Sequence, residues 1–223
     1  MFPTDRRRTL LAFTFLLIAV AQANAHVVFN EYDLMTGDEA GWHFLWQGFQ
    51  HILPLGFDHI LFVLSLYLLS PKLKTILWQA TAFTIAHSIT LGLAMYGVIQ
   101  PPSAVIEPLI AISIMVVALE NIFSPKLRAS RIGIVFLFGL VHGMGFAGAL
   151  SEIGLPKKHF FTTLVTFNVG VELGQISVIL LSYLLFGRWF SGKEYYHRRV
   201  VVPLSIAVVA VAGFWTVERI FFV

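Results

Sequence analysis

The chain alternates long apolar runs with short polar breaks, and the runs are too long and too numerous for the core of a soluble domain. Each of six runs reaches the roughly 20 residues that a helix needs to cross a bilayer. The runs cover residues 51–70, 74–97, 103–123, 131–150, 160–186 and 200–222. This pattern predicts an all-α fold, a polytopic membrane bundle of six transmembrane helices.

A shorter apolar run precedes these six. Arg6–Arg8 is followed by the apolar stretch Leu10–Val20 and then by the small-residue site Ala23-Asn24-Ala25. This order is typical of a secretory signal peptide. We expect residues 1–25 to be cleaved, which leaves His26 as a mature N-terminus outside the cytoplasm that can bind metal through its amine and ring. The alternative is an uncleaved anchor helix.

Residues 26–50 form the longest stretch outside the predicted spans. The stretch is acidic first and then aromatic, ending near Trp42-His43-Phe44-Leu45-Trp46, and aromatic residues beside a span favour the membrane interface. We therefore predict a short external segment with an interfacial helix, followed by a transmembrane domain over residues 51–223. Pro54 and Gly56 are expected to break or bend the helix at its start.

Charge is scarce and unevenly placed. Only 12% of the residues are charged, against roughly 25% in soluble proteins, so an ordinary cytosolic enzyme or a nucleic-acid-binding module is excluded. The absence of cysteine excludes disulfides and thiolate metal sites. The first, third and fifth connections carry nine basic residues: Lys72, Lys74, Lys126, Arg128, Arg131, Arg188, Lys193, Arg198 and Arg199. The other two carry Lys157 and Lys158. The positive-inside rule then places both mature termini outside.

Several ionisable residues lie inside the predicted spans, where they are costly and usually functional. They are Asp58, His59, His87, Glu107, Glu120, His142 and Glu172. At a rise of about 1.5 Å per residue, four different helices place such a group roughly 16–24 Å from the cytoplasmic basic residues. Imidazoles and carboxylates without thiolates suit divalent nickel, cobalt, zinc or copper. His59, His87, His142 and Glu172 can supply four donors. Asp58 is then a fifth ligand or a partner that orients a histidine ring.

Neighbouring polar residues are candidates for support of this site. Asn168 and Gln175 extend a polar stripe on the fifth span, and Ser88 follows His87 directly. Glu107 lies near the outer edge of the third span, where we expect it at the entry. The alternative is that all these groups are satisfied in pairs as buried structural hydrogen bonds.

Two glycine pairs bracket candidate ligands. Gly139 and Gly143 flank His142, and Gly170 and Gly174 flank Glu172. Small residues four apart let helices approach closely. We expect them to bring the backbones of the fourth and fifth spans together at a metal site.

Four segments carry a family resemblance. His51–Leu69 (HILPLGFDHILFVLSLYLL), Phe83–Leu91 (FTIAHSITL), Phe138–Ala147 (FGLVHGMGFA) and Phe167–Gln175 (FNVGVELGQ) resemble the signature segments of the HupE/UreJ membrane family. The likeness is closer to a second branch of that family, because no second histidine follows the one in the fourth span. The resemblance implies a six-span protein of the bacterial inner membrane, associated with nickel or cobalt uptake for hydrogenase and urease.

The resemblance also implies which residues contact the metal. By match to the motifs they are Asp58, His59, His87, His142 and Glu172. In the family motif three residues separate the first histidine from the glycine, whereas four residues separate His51 from Gly56 here. His51 is therefore counted with the supporting or entry residues.

Three functions use such a site. The first is a secondary divalent-metal transporter, because the chain lacks an ATP-binding G-x-x-x-x-G-K-[ST] loop. The second is a membrane-embedded hydrolase whose metal activates water. The third is a metal-binding assembly factor. The expected partners are the metal ion and the lipid bilayer, with a second copy or a metalloenzyme-assembly protein as further candidates, and no nucleic acid.

Overall fold

The computed structural model describes residues 34–70, 72–124, 130–153 and 159–222. The predicted signal peptide and His26 lie outside these residues. The described chain is helical throughout and contains no strand. Its principal helices are α1 (Gly37–Ile52), α2 (Phe57–Leu69), α3 (Leu73–Met95), α4 (Ser103–Phe123), α5 (Arg131–Ile153), α6 (Phe160–Ser182) and α7 (Val202–Phe221). The all-α membrane bundle predicted from the apolar runs is confirmed at this level.

Four of these helices are long and apolar enough to cross a bilayer among the described residues. They are α3, α4, α6 with its extension to Phe190, and α7 with the preceding turn from His197. The bent pair of α1 and α2 counts as a fifth candidate, and α5 contains the shorter apolar stretch Arg131–Phe146. The number of six spans and their orientation stay predictions.

The junction between α1 and α2 bends sharply, as Pro54 and Gly56 predict. The two helix axes meet at 67°, and α1 ends at Ile52 while α2 begins at Phe57. A Cβ atom at Gly56 would collide with the His51 carbonyl oxygen, so this turn requires glycine. The chain therefore changes direction by 67° between the two helices.

Helix α1 lies alongside α6, and both run in the same direction. A Cβ atom at Gly48 would collide with the Phe167 carbonyl oxygen, and one at Gly170 with the Leu45 carbonyl oxygen. The buried face of α1 also includes Phe44. Residues 37–50, which the sequence assigns to an external segment, are thus packed on α6. Their position relative to the membrane interface stays a prediction.

The glycines of α5 face α3, not α6. A Cβ atom at Gly139 would collide with the Phe83 carbonyl oxygen, and one at Gly143 with the His87 carbonyl oxygen. The expectation that the two glycine pairs join α5 to α6 is therefore wrong. A small-residue pair marks a surface for close approach, but it does not specify the neighbour. In this fold α5 packs on α3, and α6 packs on α1.

One end of the bundle is held by a fully buried arginine at the start of α5. Arg131 donates through Nε to Gln79 Oε1 (3.2 Å), through Nη1 to Glu120 Oε2 (2.9 Å) and Asn121 Oδ1 (3.2 Å), and through Nη2 to the Ser65 carbonyl oxygen (3.3 Å). We call these five residues the Arg131 node. The node connects α2, α3, α4 and α5, so it fixes the end at which α3 and α5 begin.

Candidate metal centre

Four histidines from four helices meet in the bundle, two or three turns from the Arg131 node along α2, α3 and α5. His51 lies in the last turn of α1 and His59 in the first turn of α2. His87 lies in α3 and His142 in α5. Ring centroids are 4.6 Å apart for His51 and His59, 5.0 Å for His59 and His142, and 6.0 Å from His87 to each of His51 and His59. We call these residues the histidine cluster. Three of its predicted members are thus brought together, and His51 joins them.

The cluster is buried and offers free ring nitrogens. His87 is 0% exposed, His142 1% and His59 6%. Nε2 of His51, His59 and His87 and Nδ1 of His142 are buried without a hydrogen-bond partner among the described residues. Buried polar atoms are normally hydrogen-bonded, so four such nitrogens in one place require an explanation.

A metal ion fits three of them, and the His142 ring lies beside these three, with its centroid 5.0 Å from that of His59. One ring nitrogen from each of His51, His59 and His87 lies within 4.8 Å of the other two. Because metal–nitrogen bonds measure about 2.1 Å, two ligands of one ion are at most about 4.2 Å apart, and small ring rotations close the difference. An all-imidazole set suits zinc, nickel, cobalt or copper. The cluster therefore fits a divalent transition metal.

Two hydrogen bonds hold histidine rings from outside the cluster. His87 Nδ1 lies 3.3 Å from Asn168 Oδ1, and His142 Nε2 lies 3.0 Å from Ser113 Oγ. Metal-binding histidines usually make such a bond through the ring nitrogen that is not the ligand. Asn168 thus contacts a cluster ring, and its supporting role stays a prediction.

Phenylalanines close the cluster on the side towards the Arg131 node. Phe62, Phe83 and Phe138 each lie one helical turn from a cluster histidine on the same helix. The Phe83 ring centroid is 5.0 Å from that of Phe62 and 5.0 Å from that of His142. These apolar side chains lie between the histidines and the node.

The other side opens into a cavity of about 580 Å³. His51, His59 and His142 line it. Glu107, from the start of α4, and Arg219, from the end of α7, also line it. A carboxylate and three of the cluster rings thus face one cavity. The role of Glu107 as an entry residue stays a prediction.

Asp58 lines the same cavity but has another partner. Its two carboxylate oxygens accept hydrogen bonds from Arg219 Nη2 at 2.9 and 3.1 Å. Arg219 also donates to the Glu107 carbonyl oxygen at 3.2 Å. The carboxylate that precedes His59 is thus part of an ion pair at the cavity wall, and its role as a metal ligand stays a prediction.

Glu172 lies on the opposite side of α3 from the cavity. Its carboxylate accepts hydrogen bonds from Thr81 Oγ1 (2.7 Å) and Thr84 Oγ1 (2.5 Å). It lines a separate groove of about 500 Å³ between α3 and α6, which Asn168 also lines. Its ligand role likewise stays a prediction, and the structure does not bring it to the four rings.

The remaining supporting candidates lie apart from the rings. Ser88 Oγ donates to the Thr84 carbonyl oxygen at 2.6 Å and lines the groove of Glu172. The Gln175 side chain is fully buried, and both its amide atoms lack a hydrogen-bond partner among the described residues. Neither residue contacts a cluster ring through a hydrogen bond in the described part of the chain.

Two residues that make contacts at the site, Ser113 and Arg219, are not among the candidates from the sequence. Ser113 is a small residue within an apolar span, and no neighbouring residue in the sequence indicates that it contacts a histidine. Arg219 does carry a signal, because it is a cation in the last turn of an apolar helix. An aspartate inside the membrane requires such a partner, and Arg219 is the partner of Asp58.

These features define a class: a helical membrane protein with buried imidazoles suited to a divalent metal. The sequence profile described as HupE / UreJ protein, that of the second branch, matches residues 29–219. The chain therefore belongs to the HupE/UreJ family. Family membership implies nickel or cobalt transport or an accessory role in the handling of these metals. No curated protein and no solved structure matches the chain.

Proposed function

We propose that the protein transports a divalent metal ion, of the nickel or cobalt type, across the bacterial inner membrane. In this proposal the ion enters through the cavity and binds the histidine cluster. Both mature termini lie on the external side, so the cavity faces outwards and the Arg131 node faces the cytoplasm. Transport then requires the helices to separate below the cluster, as in other secondary transporters.

The set of four buried ring nitrogens without hydrogen-bond partners among the described residues carries this proposal. A purely structural histidine cluster would pair its nitrogens with acceptors or with each other. The rings of His51, His59 and His142 also line a cavity with a carboxylate at its wall, and a carboxylate attracts an arriving cation.

The ligands we assign are His51, His59, His87 and His142. Asp58 and Glu172, which the family resemblance also implies, each accept hydrogen bonds from other residues of the chain. Asp58 faces Arg219, and Glu172 faces two threonines of α3, so we assign them to the cavity wall and to the groove.

Metal content and uptake together test the proposal. Purified wild type, loaded with nickel, cobalt, zinc or copper, is expected to retain about one ion per chain, and the variant H59A is expected to retain none. Proteoliposomes with wild type are expected to accumulate labelled nickel or cobalt. Wild type that retains no divalent ion contradicts the metal site. Retention without accumulation contradicts transport and favours the accessory or hydrolase functions.

A further inference from the structure

The two hydrogen bonds behind His87 and His142 determine more than ring orientation. A neutral imidazole carries its proton on one nitrogen and a lone pair on the other, and only the lone pair binds a metal. Which nitrogen carries the proton follows from the partner of each ring. At both rings the partner's own second hydrogen bond removes the ambiguity.

At His87 the partner can only accept. Asn168 Nδ2 donates to the Leu164 carbonyl oxygen at 2.8 Å, which fixes the amide orientation because the reverse would set two oxygens against each other. Asn168 Oδ1 therefore faces His87 Nδ1. The proton of His87 must lie on Nδ1, and its lone pair lies on Nε2, the buried nitrogen without a partner among the described residues.

At His142 the partner has already used its hydrogen. Ser113 Oγ lies 2.7 Å from the Ile110 carbonyl oxygen, which can only accept, so the single hydroxyl hydrogen points there. The oxygen then accepts from His142 Nε2. The proton of His142 lies on Nε2, and its lone pair lies on Nδ1, again a buried nitrogen with no partner in the described part of the chain.

We propose that Asn168 and Ser113 are positioning residues that impose opposite tautomers on the two rings, so that His87 offers Nε2 and His142 offers Nδ1 to a divalent cation. The inference rests on the proposed metal-binding function. The two binding modes differ in geometry, because a histidine that binds through Nδ1 holds its backbone closer to the ion than one that binds through Nε2. Loss of either partner lets the ring exchange tautomers and turn.

The test reads the tautomers directly in protein without metal. Nitrogen NMR of ¹⁵N-histidine-labelled wild type is expected to show His87 protonated at Nδ1 and His142 at Nε2, with signals assigned by their loss in H87Q and H142Q. The variants N168L and S113A remove the acceptors and are expected to give mixed tautomers at the adjacent ring. Nickel affinity of each variant is expected to fall about tenfold, as is typical for partners of metal-binding histidines.

Matched variants separate positioning from folding. S113T keeps the hydroxyl and is expected to retain the wild-type tautomer at His142. Ser182 is a buried serine of α6 whose hydroxyl donates to the Val178 carbonyl oxygen. S182A therefore removes a similar bond away from the histidines and is expected to change neither tautomers nor affinity.

The outcomes are distinct. Tautomers that stay as in wild type in S113A and N168L, or that differ from those stated in wild type, overturn the positioning roles. The stated tautomers in a wild-type protein that binds no nickel, cobalt, zinc or copper contradict the proposed function and leave the hydrogen-bond assignment standing. Mixed tautomers with unchanged nickel affinity overturn the role in metal binding.

Discussion

Arg131 and three rings of the histidine cluster, those of His59, His87 and His142, are buried, yet the side-chain nitrogens of Arg131 and of the cluster differ in whether they have partners. All three guanidinium nitrogens of Arg131 donate to oxygens of the same chain, whereas each histidine of the cluster keeps one nitrogen without a partner among the described residues. A saturated network stabilises the fold, and an unsaturated one is complete only with a ligand. We therefore expect Arg131 to stabilise the fold and the histidine cluster to bind a ligand.

The largest effect is expected from the node. The variant R131M leaves Glu120 Oε2 and Asn121 Oδ1 without their donor, and removal of one partner from a buried ion pair costs about 3–5 kcal/mol. The free energy of unfolding in detergent micelles measures this loss. R188M removes an exposed arginine and is expected to change stability by less than about 0.5 kcal/mol. Equal stability of the two variants would contradict the stabilising role of Arg131.

The next effect concerns binding and not stability. H87A removes one of the three clustered ligand atoms and is expected to weaken nickel affinity about 100-fold, which corresponds to about 2.8 kcal/mol. Isothermal titration measures the affinity. H43A, which changes a histidine of α1 outside the cluster, serves as the control and should bind as wild type does. Wild-type affinity in H87A would remove the cluster's assigned role.

Close packing links the two regions through α3 and α5. In G143A the new Cβ atom meets the His87 carbonyl oxygen and Thr90 Oγ1, and overpacking of this kind costs about 1–3 kcal/mol. We expect lower stability together with weaker nickel binding. At Gly133 an added Cβ atom would meet no described atom within 4 Å, so G133A is the matched control and should stabilise α5 slightly. Identical stabilities of the two variants would argue against the close approach.

The smallest effect is expected at Glu172. E172Q keeps the acceptor oxygen that faces Thr81, and the residue lies outside the cluster. Nickel affinity should change less than about threefold, equivalent to about 0.7 kcal/mol. The same titration checks it beside H87A. A loss as large as that of H87A would make Glu172 a ligand and would require α6 to turn towards the rings.

The depth of the site can be predicted from the sequence, but its composition cannot. Counting residues along each span places His59, His87 and His142 at one level, and the structure brings the three together. Counting does not separate His59 from Asp58, because adjacent helical residues point about 100° apart and do not share a face. The direction of each face depends on tertiary packing, which here turns Asp58 towards Arg219.

His51 is the reverse case, because the sequence sets it apart from the ligands and the structure brings its ring to the cluster. Its spacing to Gly56 departs from the family motif, which sets it apart from the ligands on sequence grounds. The 67° bend after α1 brings its ring to 4.6 Å from that of His59. Pro54 and Gly56 indicate that a bend exists, but the angle, which decides whether His51 reaches the cluster, is set by the packing of α1 on α6.

The most direct test of the central claim is X-ray absorption spectroscopy of the nickel-loaded protein. Scattering from imidazole rings reports how many histidines bind the ion. We expect at least three imidazole ligands in wild type, with fewer in H51A, H59A and H87A and no change in E172Q. A spectrum without imidazole scattering, or one that these histidine substitutions leave unchanged, would contradict the central claim.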